Sequence, residues 1–224
     1  CTYEGEAYLE AQLASMEGQT ESNFRLLLSD DASTDRSFAI GEAAAARDER
    51  ITAIRRESGS GSAARHFLEG LRDPHFFSAA DESDYYLFSD QDDIWHPDKL
   101  AVEARAMRCL EARYGKALPL LVHCDMRVVD GAGREIAPSY VRYQKMSPAR
   151  RQLRQLLVQN NVTGGAMLMN HALVRLLVAH PVPEHAVMHD HWIALVAAAF
   201  GRIAYLDRAL YDYRQHGDNV LGAK

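Results

Sequence analysis

The sequence has few cysteines, and their placement excludes two classes of small scaffold. Cys1, Cys109 and Cys124 are odd in number and far apart, and no C-x-x-C pair occurs. A disulfide framework needs an even, closely spaced set, and a zinc knuckle needs paired cysteines. The pattern therefore predicts a protein of a reducing compartment, and we expect it to be cytoplasmic.

Long apolar runs, linkers, repeats and basic clusters are also missing. The longest apolar stretch covers only residues 192–200, whereas a membrane-spanning helix needs about 20 apolar residues. No repeat or Pro/Gly-rich linker divides the 224 residues, a length that suits one large α/β domain. The formal net charge is −6 and the basic residues are scattered, which argues against a nucleic-acid surface.

Apolar spacing alternates between strand and helix patterns, which predicts an α/β fold with a mainly parallel sheet flanked by helices. The second half of the chain is more mixed, with paired short strands and a helix between them. The predicted strands cover residues 24–29, 51–54, 85–88, 120–123, 127–129, 166–169, 203–205 and 210–213, and the predicted helices 9–16, 35–47, 63–71, 97–110, 149–158, 171–179 and 190–200.

Three carboxylates follow a predicted buried strand: Asp90, Asp92 and Asp93. Their mutual repulsion is costly unless a cation or hydrogen-bond donors compensate it. Magnesium and manganese prefer oxygen ligands and keep open positions for substrate phosphates. The simpler alternative is an acidic turn that caps the helix beginning near Pro97. We favour a metal, because ligands of open α/β sheets lie at the carboxyl ends of the strands.

Several collinear blocks resemble the family 2 inverting glycosyltransferases of the GT-A type, in their rhamnosyltransferase-like branch. The blocks are Thr2-Tyr3-Glu4-Gly5-Glu6, Ser29-Asp30-Asp31-Ala32-Ser33-Thr34-Asp35, Ser89-Asp90-Gln91-Asp92-Asp93-Ile94-Trp95, Val158-Gln159-Asn160-Asn161-Val162-Thr163-Gly164-Gly165, Met188-His189-Asp190-His191-Trp192 and Tyr213-Arg214-Gln215-His216-Gly217.

The resemblance implies a single-domain nucleotide-diphospho-sugar transferase fold, with a central mixed, mainly parallel sheet flanked by helices. Its nucleotide-binding half would cover about residues 1–95 and its acceptor-binding half 96–224. Family members also carry a strand of the type Val-Ser-Ile-Val before the first block, and we expect such a strand upstream of Cys1. The implied reaction is inverting transfer from a UDP- or dTDP-sugar, with dTDP-rhamnose favoured. The implied cofactor is Mn²⁺ or Mg²⁺. The implied acceptor is a saccharide or lipid-linked saccharide of a surface polysaccharide, reached by peripheral association with the inner face of a membrane.

The resemblance also assigns roles to the donor site. Asp30 would accept a hydrogen bond from the base imide, which suits uracil or thymine; capping of a helix is the alternative for Asp30 and Asp31. The glycines would let the backbone approach a sugar closely, or would form a plain strand bulge. The nucleotide- and donor-binding set is Thr2, Tyr3, Glu4, Asp30, Asp31, Asp90, Asp92, Gly164 and Gly165, and the metal set is Asp92, Asp93 and His216.

On the acceptor side, Asp190 matches the position of the family's catalytic base. The alternative is that Asp190 only caps the helix that follows it. His191 and Trp192 would contact the acceptor, although Trp192 could equally belong to the core and His216 to a surface turn. Two rival functions are a sugar nucleotidyltransferase, for which residues 2–6 lack the Gly-rich basic loop, and a non-catalytic nucleotide-sugar binding domain.

Overall fold

A computed structural model describes residues 1–77, 82–183 and 186–217. Strands and helices alternate through the first half of the chain, as the apolar spacing predicts. The helices are α1 (Leu9–Glu17), α2 (Ser37–Arg47), α3 (Ala63–Gly70), α4 (Lys99–Tyr114), α5 (Tyr140–Tyr143), α6 (Leu153–Leu156), α7 (His171–Val178) and α8 (His189–Phe200). The strands are β1 (Leu26–Asp30), β2 (Ile51–Arg55), β3 (Tyr85–Leu87), β4 (Ile94–Trp95), β5 (Leu120–Asp130), β6 (Glu135–Ala137), β7 (Met167–Asn170) and β8 (Arg202–Gln215).

The helices begin and end where local chemistry favours it. In α1, Leu9, Leu13 and Met16 are buried along one face, as expected for apolar residues at helical spacing. The Ser62 side chain caps α3 by accepting a hydrogen bond from the Arg65 N–H at 3.2 Å, which satisfies one of the free donors of the first turn.

The strands form a mixed arrangement whose two longest pairings are parallel. β1 runs parallel to β2, and β5 runs parallel to β8. The larger sheet has the order β3-β7-β5-β8-β4, with β6 on β5, and its other pairings are antiparallel. The predicted α/β class with a mixed sheet and flanking helices is confirmed.

Two pairs of predicted short strands are continuous in the structure. β5 joins residues 120–123 and 127–129, and β8 joins 203–205 and 210–213. Register shifts beside Asp125 let both strands bend without ending, as a bulge does. The predicted helix at 149–158 is wrong, since only Leu153–Leu156 is helical. Leu157 and Val158 are exposed, so no continuous apolar face stabilises a longer helix.

A cavity of about 680 Å³ lies between β1 and β3 and is lined largely by apolar side chains. At its edge, the Thr2 N–H donates to the Ser29 carbonyl and the Asp31 N–H donates to the Thr2 carbonyl, both at 2.9 Å. Thr2 thus forms a parallel bridge with Asp30. The strand expected upstream of Cys1 and the division near residue 95 stay predictions. In the described part of the chain, no helix has the length and apolarity to cross a membrane.

Candidate active site

The acidic segment Asp90–Asp93 connects β3 with β4, so β4 separates it from α4. The N-cap of α4 is Asp98, and the alternative that the acidic residues cap this helix is therefore wrong. Gln91 holds the segment against the amino-terminal residues. Its Oε1 accepts from the Thr2 hydroxyl and the Tyr3 N–H, each at 2.8 Å, and its Nε2 donates to the Tyr3 carbonyl at 2.9 Å.

Gln12 of α1 also holds the acidic segment in place by hydrogen bonds. Its Nε2 donates to the Ser89 hydroxyl at 2.9 Å and also to the Asp90 carbonyl. The sequence analysis missed this residue. A signal was available, because Gln12 occupies the buried stripe that α1 otherwise fills with Leu9, Leu13 and Met16. A polar residue on such a stripe is buried only if it has hydrogen-bond partners.

Asp30 lies at the carboxyl end of β1 and is fully buried. Its Oδ2 accepts from the Ser33 N–H at 3.0 Å and lies 3.6 Å from the Arg55 Nε. Its Oδ1 is buried with no hydrogen-bond partner among the described residues. A carboxylate oxygen in this state is costly without a donor.

Asp31 is engaged differently from Asp30. Its two oxygens accept from the Ser60 N–H at 2.8 Å and the Ser60 hydroxyl at 2.7 Å. The N-cap of α2 is Arg36, so the alternative that Asp30 and Asp31 cap a helix is wrong. Both carboxylates instead hold the loops that follow β1 and β2.

The amino-terminal residues border this loop. Thr2 is buried and Tyr3 is 59% exposed, an arrangement that leaves the Tyr3 ring open to a ligand. Glu4 is committed to the protein, because its Oε1 accepts from the Thr34 N–H at 2.8 Å and the Thr34 hydroxyl at 3.0 Å. Its predicted contact with the donor stays a prediction.

Asp92 and His216 meet across the chain. The Asp92 Oδ2 lies 2.8 Å from the His216 Nε2, and the Tyr8 ring packs beside the imidazole with a centroid distance of 4.6 Å. Arg214 donates to the Asp92 carbonyl at 3.2 Å. The alternative that His216 belongs to a surface turn is wrong, since its side chain is only 13% exposed.

Asp93 faces the interior of the protein. It is fully buried, and neither of its oxygens has a hydrogen-bond partner among the described residues. A Cβ built at Gly165 would lie 2.5 Å from its Oδ2. Burial, reinforced by Asp90 and Asp92, raises the pKa of Asp93 well above its usual value, and Lys99 partly opposes this effect.

Near Asp93 lies a buried ion pair, Lys99 with Glu103, that the sequence analysis did not identify. The Lys99 Nζ donates to the Glu103 Oε2 at 2.8 Å, and both side chains are fully buried. The ammonium group also lies 4.9 Å from the Trp95 ring centroid and 5.5 Å from that of Tyr211. The spacing i, i+4 is usual for an exposed helix pair, so burial of this pair could not be predicted from the sequence.

Metal ligands converge only in part. The predicted trio of Asp92, Asp93 and His216 is not assembled, because the described residues contain no group of three or more potential ligands that could hold a metal ion. Asp92 and His216 do fit a divalent cation that takes its other ligands from a diphosphate and water. Asp90 adds negative charge nearby, and burial, with repulsion from Asp92, raises its pKa to about 7.

Asp190 is the second residue of α8, whose N-cap is Met188. Asp190 is therefore not the N-cap residue, but its Oδ1 accepts from the N–H of the neighbouring His191 at 2.5 Å and so satisfies a free donor of the first turn. Burial raises the pKa of Asp190 to about 6, an effect that the backbone N–H groups of His191 and Gly164 partly offset. Asp190 also contributes to the raised pKa of Asp90, so the two carboxyl groups lie close enough for their charges to interact.

The residues around Asp190 have distinct roles. The His191 Nε2 lies 2.8 Å from the Leu156 carbonyl, which fastens α8 to α6. Trp192 is 36% exposed, and the alternative that it is a core residue is wrong. His189 is buried and stacks on Phe67 at a centroid distance of 4.2 Å. Burial lowers the pKa of His189 to about 3, so its imidazole is neutral.

The two glycines make room for protein groups. Residues 164–166 form a turn of 3-10 helix before β7, so the strand-bulge alternative is wrong. A Cβ at Gly164 would lie 2.5 Å from the His189 Nε2, as one at Gly165 would from Asp93. Both positions require glycine for close approach, and their contact with a sugar stays a prediction.

Comparison with known proteins assigns the family. A family profile described as "Glycosyl transferase family 2" matches residues 1–176. The chain belongs to glycosyl transferase family 2. This family 2 chain is 34% identical over 110 residues to the dTDP-rhamnosyl transferase RfbG of Shigella flexneri, a match that covers 49% of this chain and 36% of that protein.

Solved structures support the fold of this family 2 chain. TarS residues 1–349 of S. aureus, in complex with UDP, match with a TM-score of 0.65 and 20% identity, covering 95% of this chain and 58% of that one. The mannosyltransferase PcManGT of Pyrobaculum calidifontis, in complex with GDP-Man and Mn²⁺, matches with a TM-score of 0.64 and 16% identity, covering 97% and 56%. The fold is thus the GT-A type expected from the sequence, and the chain spans about a third to somewhat over half the length of these proteins.

Proposed function

We propose that this chain is the catalytic domain of an inverting glycosyltransferase that moves a sugar from a dTDP- or UDP-sugar to a hydroxyl group of a surface polysaccharide precursor. The observation that carries the proposal is the closeness of Asp190 to the acidic segment, with burial holding the pKa of Asp190 at about 6. Family membership and the likeness to the dTDP-rhamnosyl transferase support it and favour dTDP-rhamnose as the donor.

The nucleotide would bind along the edge formed by the amino-terminal residues and the loop after β1. Asp30 Oδ1 would accept the imide N–H of uracil or thymine, since it is buried without another donor among the described residues. Adenine presents an acceptor nitrogen where uracil and thymine present the imide N–H, so this contact discriminates against adenine. The exposed Tyr3 ring would pack on the base, and Asp90 would face the ribose and diphosphate.

Asp92 and His216 would hold Mn²⁺ or Mg²⁺, because their side chains already converge at 2.8 Å. The cation would neutralise the charge that develops on the departing diphosphate. Asp93 would not be a ligand in this arrangement, because it is fully buried on the opposite side, against Gly165.

Asp190 would take the proton from the acceptor hydroxyl as that oxygen attacks the anomeric carbon. A base with a pKa near 6 is mostly ionised at neutral pH and still basic enough to accept a proton in the transition state. A single displacement of this kind inverts the configuration and needs no covalent intermediate on the enzyme. Trp192 and His191 lie beside Asp190 in the sequence and would contact the acceptor sugar.

A screen of sugar nucleotides tests the proposed reaction. The purified chain would be incubated with dTDP-, UDP-, GDP- and ADP-sugars and Mn²⁺, and donor consumption would be followed by mass spectrometry. We expect consumption of a dTDP- or UDP-sugar and little reaction of the purine donors. Preference for GDP-sugars would contradict the proposed pyrimidine donor, preference for ADP-sugars would also contradict the role of Asp30, and nucleotide binding without any turnover would favour a non-catalytic binding domain.

Calorimetry tests the proposed metal pair. UDP or dTDP should bind in the presence of Mn²⁺ and lose most of its affinity when a chelator is added. His216→Ala should remove most of this metal dependence, whereas His75→Ala is the matched control, since His75 is exposed and its ion-pair partner among the described residues is its neighbour Asp73. Equal affinity with and without the chelator would refute the metal site.

A further inference from the structure

We propose that one face of this chain, formed by Arg150, Leu153, Arg154, Leu157 and Val158, binds the surface of an anionic lipid bilayer. We call this face the 150–158 surface. The binding does not depend on the transfer reaction, so its test can fail or succeed separately from that of the proposed function.

The first observation is a segregation of charge. The whole chain has a formal net charge of −6, yet residues 136–183 contain no aspartate or glutamate, and all their charged side chains are basic. These basic residues are Arg142, Lys145, Arg150, Arg151, Arg154 and Arg175. A cationic region on an acidic protein attracts an anionic partner specifically, because the rest of the surface is repelled by it.

The second observation is the exposure of aliphatic side chains among these cations. Val158 is 87% exposed, Leu157 is 63% exposed and Leu153 is 38% exposed. Leu156, between them, is completely buried and anchors the segment. Single exposed aliphatic residues are common on proteins, but here they lie together in one short segment. Arg150, Arg154 and Val158 also border a common surface depression.

The third observation concerns ion pairs. Among the described residues, no carboxylate lies within ion-pairing distance of Arg150, Arg151 or Arg154, whereas Arg142 pairs with Asp207 at 3.6 Å. Arg150 and Arg154 are thus exposed cations whose charge is not neutralised by this part of the chain. A mixture of exposed aliphatic residues and arginines is typical of surfaces that enter the boundary between lipid headgroups and acyl chains.

The 150–158 surface is fastened to the acceptor side of the candidate active site. The Leu156 carbonyl lies 2.8 Å from the Nε2 of His191, the residue after Asp190. The Arg150 carbonyl accepts from the Asn161 Nδ2 at 2.9 Å, and Asn161 leads directly into the turn at Gly164 and Gly165. Docking of this surface on a bilayer would therefore hold Asp190 close to the plane of the headgroups. That consequence rests on the proposed function and suits a lipid-linked acceptor.

Vesicle co-sedimentation tests the surface. The purified chain should bind vesicles of phosphatidylcholine mixed with phosphatidylglycerol, bind poorly to phosphatidylcholine alone, and dissociate as salt is added. Arg150→Gln with Arg154→Gln should weaken binding about thirtyfold, from the usual contribution of two basic residues near an anionic membrane. Leu157→Ser with Val158→Ser should weaken it roughly tenfold or more, since the buried apolar area is lost.

Matched control variants remove the same types of side chain at other positions on the surface. Arg105→Gln with Arg108→Gln removes two exposed cations that, like Arg150 and Arg154, have no carboxylate within ion-pairing distance among the described residues, and Phe200→Ser removes an apolar side chain that is 63% exposed. Both should bind like the wild type. As a second readout, the fluorescence of Val158→Trp should shift to the blue with anionic vesicles, whereas that of Phe200→Trp should not.

Three results of the vesicle experiments would overturn the proposal. They are failure of the wild type to bind anionic vesicles, equal binding to vesicles of phosphatidylcholine alone, and equal loss of binding in the control variants. Soluble polyglutamate could release the chain from anionic vesicles as effectively as an excess of such vesicles does. That result would assign the surface to an acidic polymer and would also overturn the proposal. Loss of vesicle binding in the 150–158 variants with an unchanged donor-consumption rate in solution would support the proposal without testing the transfer chemistry.

Discussion

Replacing Asp190 by asparagine tests both the proposed base and the environment that the fold gives to this side chain. The carboxyl group is placed against Gly164 and the first turn of α8, where burial raises its pKa from 3.8 to about 6. Asparagine keeps the shape and the Oδ1 that accepts from the His191 N–H, but it cannot accept the proton of an acceptor hydroxyl. We expect the rate of sugar transfer to fall by about 10²–10⁴-fold, with little change in nucleotide affinity.

The same substitution should stabilise the protein. A pKa raised in the folded state means that folding favours the protonated acid, so stability is lost as pH rises from about 4 to about 6 and stays lower above that range. This rise in the pKa of Asp190 lowers the free energy of unfolding by up to about 3 kcal/mol at neutral pH. Asparagine removes it, which for a chain of this length corresponds to a rise in Tm of up to roughly 6–12 °C.

Thermal unfolding at pH 8 and at pH 4, combined with transfer assays, checks both effects. The gain in Tm of Asp190→Asn over the wild type should be large at pH 8 and should largely vanish at pH 4. The matched control is Asp207→Asn, since the Asp207 side chain is 69% exposed and should change neither property. Wild-type transfer rates in Asp190→Asn would refute the role of base, and equal or lower Tm at pH 8 would refute the account of its burial.

Two further substitutions test the buried charges on either side of the site. Asp30→Ala should reduce the affinity for UDP or dTDP by roughly ten- to a hundredfold, because a charged hydrogen bond to the base imide is lost; calorimetry that finds unchanged affinity would refute this contact. Lys99→Met should lower the free energy of unfolding by about 3–5 kcal/mol, since Glu103 is left buried without its partner. The double variant Lys99→Met with Glu103→Leu should recover most of this loss in urea titrations, and an unchanged midpoint in the single variant would contradict the importance of the pair.

Sequence patterns predicted most of the elements that carry the site. The buried aromatic strand β3 leads into the acidic segment, and β1 ends at Asp30, both as expected for ligand-facing carboxyl ends of strands. These predictions are reliable because apolar periodicity and strand-ending acidic residues are local features of the chain. The predicted helix at 149–158 failed for the opposite reason, since Leu157 and Val158 are exposed and only the turn around the buried Leu156 packs on the protein.

Other parts of the site depend on contacts between residues far apart in sequence. Gln12 and Gln91 carry no catalytic chemistry of their own, and their role follows only from the backbone and hydroxyl groups that they bind. Lys99 and Glu103 have the spacing of a surface pair, and only the packing of α4 against Trp95 and Tyr211 shows that they are buried.

The sequence alone determined the family, the α/β class and the candidate carboxylates, because these follow from the order of short local patterns along the chain. Only the tertiary structure decided how the carboxylates differ. Asp92 meets His216 across a separation of 124 residues, whereas its neighbour Asp93 turns inward to Gly165 and becomes fully buried. Burial and the proximity of distant charges set the pKa values of these groups, and both are properties of the packed molecule that adjacent positions in a sequence do not share.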